Sequence, residues 1–378
     1  MLAPSTPTLQ ATSGPTPAND CWSCWPWSSL QLKRAREVWD GAAGQNRVVV
    51  AVIDDGFDLT HPALRDNLWQ MPGPPNVHGW DFVDHDADPS PAVEVPVSSH
   101  GTMVAGIIGG RPDLARWFAG VAPNVELMLL RWRSNHPPEA HANPVHMAAA
   151  LRFAIEHGAR IVNLSAGIDT TRKPCQALAE LESAFKLAEI RDVLVVAAAP
   201  NIPWNMDTAT NWLPGGYPFT NIIHVTGICR ELRLLGAWGQ KSVDIAAPAE
   251  GIIGPTAGGG YRSGCATSFA APLVTGALAL VWGLLPNLKA DQVRRLLLRN
   301  AKGTGQQAEF ADAAKRCRTN ETDSDEVCRL RSHEVWGHEF PASPEGRLDL
   351  GFIEEAYQRY WDGRGFPGFF SAGAHMHK

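Results

Sequence analysis

Short, almost wholly apolar runs separated by helix-length stretches recur along the chain from Arg47 onward. Such alternation is the sequence form of a mostly parallel sheet with helices on both faces, because strands covered on both sides carry no polar alternation. The runs are Val48 to Ile53, Glu126 to Leu130, Arg160 to Leu164 and Val193 to Ala197, with Ile222 to Thr226 and Val243 to Ala246 as shorter ones. Between them, His146 to His157 places Met147, Leu151, Ala154 and Ile155 on one stripe, with Gly158 where a helix ends. Gln176 to Ile190 repeats that spacing. Leu273 to Leu285 is apolar on nearly all sides, as a central helix of such a core would be, with Pro286 ending it, and Gln292 to Leu298 begins another helix. The expected fold is therefore α/β, three layers in the order helix, sheet, helix.

Composition is compatible with this and narrows the partners. A chain of 378 residues with 44% hydrophobic and 19% charged residues can bury one large core. A net charge of -6 gives no reason to expect nucleic acid or an anionic membrane as partner. Gly276, Gly283 and Pro286 interrupt the most apolar stretch short of the about 20 residues that a membrane span needs. Residues 1–26 are rich in Pro, Thr, Ser and Ala and read as a disordered leader without the basic start and apolar block of a secretory signal. A polar, charged stretch at 303–345 reads as an insertion within the domain spanning 27–378, before a closing helix near Leu350 to Tyr360.

Seven cysteines cannot all pair within the chain, so the redox compartment stays open. Cys21 and Cys24 form a lone C-x-x-C without a second pair at zinc-site spacing, and Cys317 with Cys328 could close a loop or do nothing. His333 to His338 misses the zinc-protease spacing by one residue, and Gly258-Gly259-Gly260 falls short of a dinucleotide fingerprint. No metal and no cofactor is expected.

The chemistry-bearing residues stand at the ends of the predicted elements. Asp54 follows the first strand, His100 opens an apolar helix in Ser99-His100-Gly101-Thr102, and Asn201 follows Ala198-Ala199-Pro200 at the end of another strand. Ser268 lies in Gly264-Cys265-Ala266-Thr267-Ser268-Phe269-Ala270-Ala271-Pro272, at the mouth of the apolar helix. A serine hydroxyl is a weak nucleophile and needs a base, an orienting carboxylate and oxyanion donors. Singly, each has a plainer reading: a turn aspartate, a helix-capping histidine, a loop amide. Together, in the order Asp, His, Asn, Ser, they resemble the subtilisin-like serine peptidases, the subtilases. Asp58-Leu59-Thr60-His61-Pro62, Gly120-Val121-Ala122-Pro123-Asn124, Val162-Asn163-Leu164-Ser165-Ala166-Gly167 and Asp244-Ile245-Ala246-Ala247-Pro248 are similar to subtilase segments in the same order.

The resemblance implies a serine endopeptidase acting on protein or peptide substrates through an acyl-enzyme. Ser268 would be the nucleophile, His100 the base, Asp54 its orienting acid and Asn201 an oxyanion donor. Asp55 stands where the family has Thr or Ser. Ser165, Ala166 and Gly167 would form an edge strand for the substrate, Ala198, Ala199 and Pro200 the facing wall, and Trp212 the pocket floor, leaving room for small side chains. The sequence departs from the family's pattern at Ala266 and Pro200, where glycines are usual: the Ala266 methyl close to the oxyanion would lower activity, and the fixed φ of Pro200 would shift the amide or narrow the specificity pocket. Met103 replaces a histidine as a packing change, and Ala63 replaces a calcium-binding carboxylate, which implies that the site is absent.

Two other functions fit. The fold could bind peptides without cutting them, or an esterase could use Ser165, whose Asn163-Leu164-Ser165-Ala166-Gly167 lacks the first glycine of a nucleophile elbow. Without a visible prodomain, the expected location is cytoplasmic if Met1 is the native start, and secreted if the chain is a mature fragment.

Overall fold

The computed structural model describes residues 46–90, 99–112, 118–134, 143–301 and 348–350, apart from 172, 203, 209–210 and 230–233, together with residues 30, 32, 35, 37, 352–353 and 355–356. The leader, the 303–345 insertion, Cys21, Cys24, Cys317, Cys328 and His333 to His338 lie outside these residues.

Strands β1 (Val49–Asp54), β2 (Gly79–Asp81), β3 (Glu126–Arg131), β4 (Ile161–Leu164), β6 (Leu194–Ala198), β8 (Ile222–Ile228) and β9 (Ile245–Pro248) form one sheet in the order β2-β3-β1-β4-β6-β8-β9. Every neighbouring pair in it is parallel. Its two faces alternate along each strand. In β1, Val50 and Val52 join a core with α1 (His100–Gly109), α4 (Thr267–Leu284) and α5 (Ala290–Arg299), whereas Ala51 and Ile53 join a second core with α2 (Pro144–Glu156) and α3 (Cys175–Ile190). Three layers result, as the apolar runs predict.

Element starts differ from the sequence expectation where caps intervene. Helix α2 begins two residues early, at Pro144, because the Asn143 side chain accepts from the Val145 N–H at 3.0 Å and proline tolerates the first helical position. Gly158 follows it with φ +85°, a conformation that favours glycine. Five short strands lie outside the sequence expectation: β2 at the edge of the sheet, β5 (Ile168–Asp169) paired with β7 (Trp212–Leu213), and β10 (Ile252–Thr256) paired with β11 (Gly260–Gly264), both pairs antiparallel. Only the start of the closing helix, around Ile353 to Ala356, falls among the described residues.

Helix α4 begins six residues before the expected Leu273, and all its residues are buried. By length and hydropathy it could cross a membrane, contrary to the expectation from its interruptions, yet it is buried inside the protein. Pro272 therefore sits in the second turn, where its missing N–H leaves the Ser268 carbonyl without its i+4 donor. The Ser165 hydroxyl supplies the replacement, donating to the Ser268 carbonyl at 2.8 Å.

Leu280 of α4 is fully buried among apolar neighbours. Leu280→Ala should lower unfolding free energy by about 2–5 kcal/mol through lost transfer energy and the cavity left behind, measured by chemical denaturation.

Candidate active site

Carboxyl ends of parallel strands are where open α/β sheets place ligand-binding groups. Asp54 is the last residue of β1, with β3 and β4 on either side. His100 is the first residue of α1, and the two meet: Asp54 Oδ1 accepts from His100 Nδ1 at 2.7 Å and from the Asp55 N–H at 2.9 Å. A carboxylate only accepts, so Nδ1 carries the proton and Nε2 is left as the basic nitrogen. Their approach requires Gly101, because a Cβ there would lie 2.4 Å from the Gly56 carbonyl oxygen and 3.1 Å from Asp54 Cβ.

Burial and charge set the protonation of this pair. Burial pushes the Asp54 carboxyl above its ordinary value, against the opposing pull of His100. For His100, burial favours the neutral ring, but the Asp54 charge, the hydrogen bond to it and the Asp55 charge outweigh burial and leave the imidazole raised above its ordinary value. Asp54, Asp55 and His100 form the one group among the described residues with ligand atoms close enough to share a cation, all within 4.8 Å of one another. The hydrogen bond already occupies His100 Nδ1.

Ser268 is the second residue of α4, and its Oγ donates to the Ser165 carbonyl at 3.2 Å. Phe269, beside it, faces the His100 ring with centroids 5.7 Å apart. The residue that caps α4 in sequence, Ala266, has no capping side chain, and the cap comes from elsewhere. Asn201 Oδ1 accepts from the Thr267 N–H at 2.8 Å, and lies 2.9 Å from Thr267 Oγ1, which donates to the Ala199 carbonyl at 2.6 Å. Since a backbone N–H can only donate, the amide of Asn201 is oriented with oxygen toward α4, and its NH2 group remains as the donor end. The structure thus joins Asp54 directly to His100, and Asn201 to Ser268 through Thr267. Thr267 was visible in the motif but not singled out.

The segments around the groove are partly as expected. Ser165 to Gly167 has no strand partner among the described residues; it links β4 to β5. Trp212 pairs with Asp169 across β5 and β7, and its indole lies over Gly167, where a Cβ would fall 2.2 Å from Nε1. The same ring packs on the cluster of Ala199, Met206, Ala237 and Val243. Pro200 accepts from the Ala237 N–H at 2.8 Å. Ala266 is extended at φ -169°, open to any residue, and is buried in the core beside α4. Met103 is likewise buried, against Gly254 and Gly264 of the β10–β11 hairpin.

The subtilase family model matches residues 45–324. The chain belongs to the subtilase family. Subtilases are serine-type endopeptidases, and the similar proteins carry serine-protease names. A thermophilic serine proteinase of Bacillus sp. (strain AK1) is 33% identical over 248 residues, 64% of this chain and 54% of that protein. This subtilase therefore spans about half the length of that relative. The major intracellular serine protease of Bacillus subtilis (strain 168) is 30% identical over 255 residues, 67% of this chain and 73% of that protein. The crystal structure of a cold-adapted subtilisin-like serine proteinase shares the fold with a TM-score of 0.55 and 25% identity, covering 70% of this subtilase and 86% of that chain.

Ser165 is poorly placed to serve as an esterase nucleophile. It is buried, donates to the Ser268 carbonyl and accepts from Asn163 Nδ2 at 3.0 Å. Ser165→Ala should leave that carbonyl unpaired and lower stability by about 1–3 kcal/mol in thermal denaturation, while labelling by a serine-directed fluorophosphonate persists. Loss of labelling in a folded Ser165→Ala protein would point to the esterase instead.

Proposed function

We propose that this subtilase cleaves peptide bonds with Ser268, His100 and Asp54 as its catalytic triad and Asn201 as an oxyanion donor. The observation that carries the reading is the 2.7 Å hydrogen bond from His100 Nδ1 to the buried Asp54. It fixes the tautomer that general-base catalysis by Nε2 requires.

Ser268 Oγ attacks the scissile carbonyl as His100 Nε2 takes its proton, and the oxygen of the tetrahedral intermediate becomes anionic. That charge is met by Asn201 Nδ2 and by the Ser268 N–H, which lies in the first turn of α4, where backbone donors lack helical partners and the helix dipole is positive. His100 then gives its proton to the leaving amine. Water, deprotonated by the same imidazole, releases the second product from the acyl-enzyme and returns the proton to Ser268. The substrate backbone pairs with Ser165 to Gly167 by strand addition, opposite Ala198 to Pro200. Trp212, wedged between these two walls, leaves a shallow pocket that favours small side chains at the cleaved position.

A peptide-binding protein without activity is the competing reading, and its support from Ala266 is weakened because that residue is extended and buried in the core. Fluorophosphonate labelling separates the two. Labelling of the wild type that vanishes in Ser268→Ala supports the peptidase, whereas a folded wild type that never labels supports the binder.

Asn201→Ala should lower turnover by about two to three orders of magnitude with little change in KM, read from steady-state kinetics. Labelling should weaken as pH falls through the raised His100 value, because the protonated ring cannot accept from Ser268. For the pocket, cleavage profiling on a peptide library should show small residues at the cleaved position, broadening to larger ones in Trp212→Ala; a wild-type preference for large aromatics would refute the shallow pocket.

A further inference from the structure

We propose that Asp55 is a second acidic positioning residue of this centre, holding the amide that follows His100 and, with Arg133, balancing the charge that His100 acquires in the reaction. The proposal rests on the triad reading above.

Asp55 directly follows the catalytic strand and is 3% exposed. Its Oδ1 accepts from the Gly101 N–H at 3.2 Å, so it grips the first turn of α1 one residue beyond His100. On its other side, the Arg133 guanidinium lies 3.9 Å from Oδ2. Arg133 stands two residues past the end of β3, whose last residue, Arg131, is in register with Asp54, so the sheet itself delivers it to this edge. The tight approach at Gly101 is what brings an acid at position 55 within reach of the α1 backbone.

Gripping an amide does not require a charge. A neutral acceptor would hold the Gly101 N–H without the desolvation that a buried carboxylate suffers, least of all beside a second one. Charge balance supplies a reason for the acid. Among the described residues, two carboxylates face one guanidinium with a neutral imidazole, and positive and negative charges are equal with the imidazolium. The balanced arrangement is the one formed when His100 takes the serine proton. Among the described residues, the groups facing His100 are Asp54 from β1, Asp55 from the following loop, Arg133 from beyond β3, and the positive end of α1 itself; Phe269 of α4 contributes an uncharged ring. Asp55 favours the charged ring and Arg133 opposes it. The sign follows: Asp55 moves the acid limb of activity to higher pH, and Arg133 moves it back.

The test is the pH profile of kcat/KM on an uncharged peptide substrate for the wild type, Asp55→Asn and Arg133→Gln. Asp55→Asn keeps an oxygen for the Gly101 N–H, so the fold is retained. Its acid limb should move to lower pH and that of Arg133→Gln to higher pH, so that below the wild-type limb Asp55→Asn keeps the larger fraction of its own plateau. The plateau of Asp55→Asn should fall, because the imidazolium of the transition state loses a counter-charge. A uniform loss at every pH with both limbs unmoved would leave Asp55 as a structural acceptor only and overturn the proposal, as would limbs moving in the opposite directions. The His100 imidazole titration, followed by NMR in Ser268→Ala, reads the same shifts without turnover. If the wild type labels with no probe at any pH, the peptidase reading fails, while that titration still decides the role of Asp55.

Discussion

Complete burial of helix α4 is the constraint on which the rest of this molecule depends. Its side chains fill the space against the sheet, so the helix cannot slide or turn without opening cavities, each costing on the order of the energy of a core truncation. Ser268 inherits that immobility as its second residue. Two polar details complete the fixation. Ser165 restores the bond that Pro272 removes, and Asn201 caps the end that the chain itself leaves open. Both partners come from loops at the carboxyl edge of the sheet. The same polar contacts that close the helix therefore bind it to the groove.

The opposite wall is built on electrostatics more than on packing. The buried Asp54 and the partly buried His100 form a pair whose charges are set by neighbours as much as by each other. Low dielectric makes each neighbour count, so a residue as near as Asp55 cannot be neutral in effect even when its hydrogen bond looks purely structural. On the proposed mechanism the rigid helix would give Ser268 its position and the charged edge would give His100 its proton affinity.

Much of this was legible in the sequence because buried parallel strands leave continuous apolar runs. The runs located β1, β3, β4, β6, β8 and β9 to within a residue or two, and the residues at their ends gave the candidate site. What escaped has physical reasons. Strands β5 and β7 have two residues each, too few for any periodic signal. The cap of α4 was hidden because it is Asn201, distant in sequence, whereas N-cap signals are local. Asp55 was seen as a neighbour of the important acid; only the fold placed its oxygen on Gly101.

On the proposed mechanism the Asn201 amide has two tasks at once: its oxygen holds the helix end, and its nitrogen would meet the oxyanion. Order at the first turn of α4 and order in the oxyanion site are thus one degree of freedom. Helix ends fray at lower free energy than cores open. On warming, this enzyme should consequently lose its competence while the sheet and the remaining turns of α4 are intact, with an inactivation temperature set by the strength of a single cap.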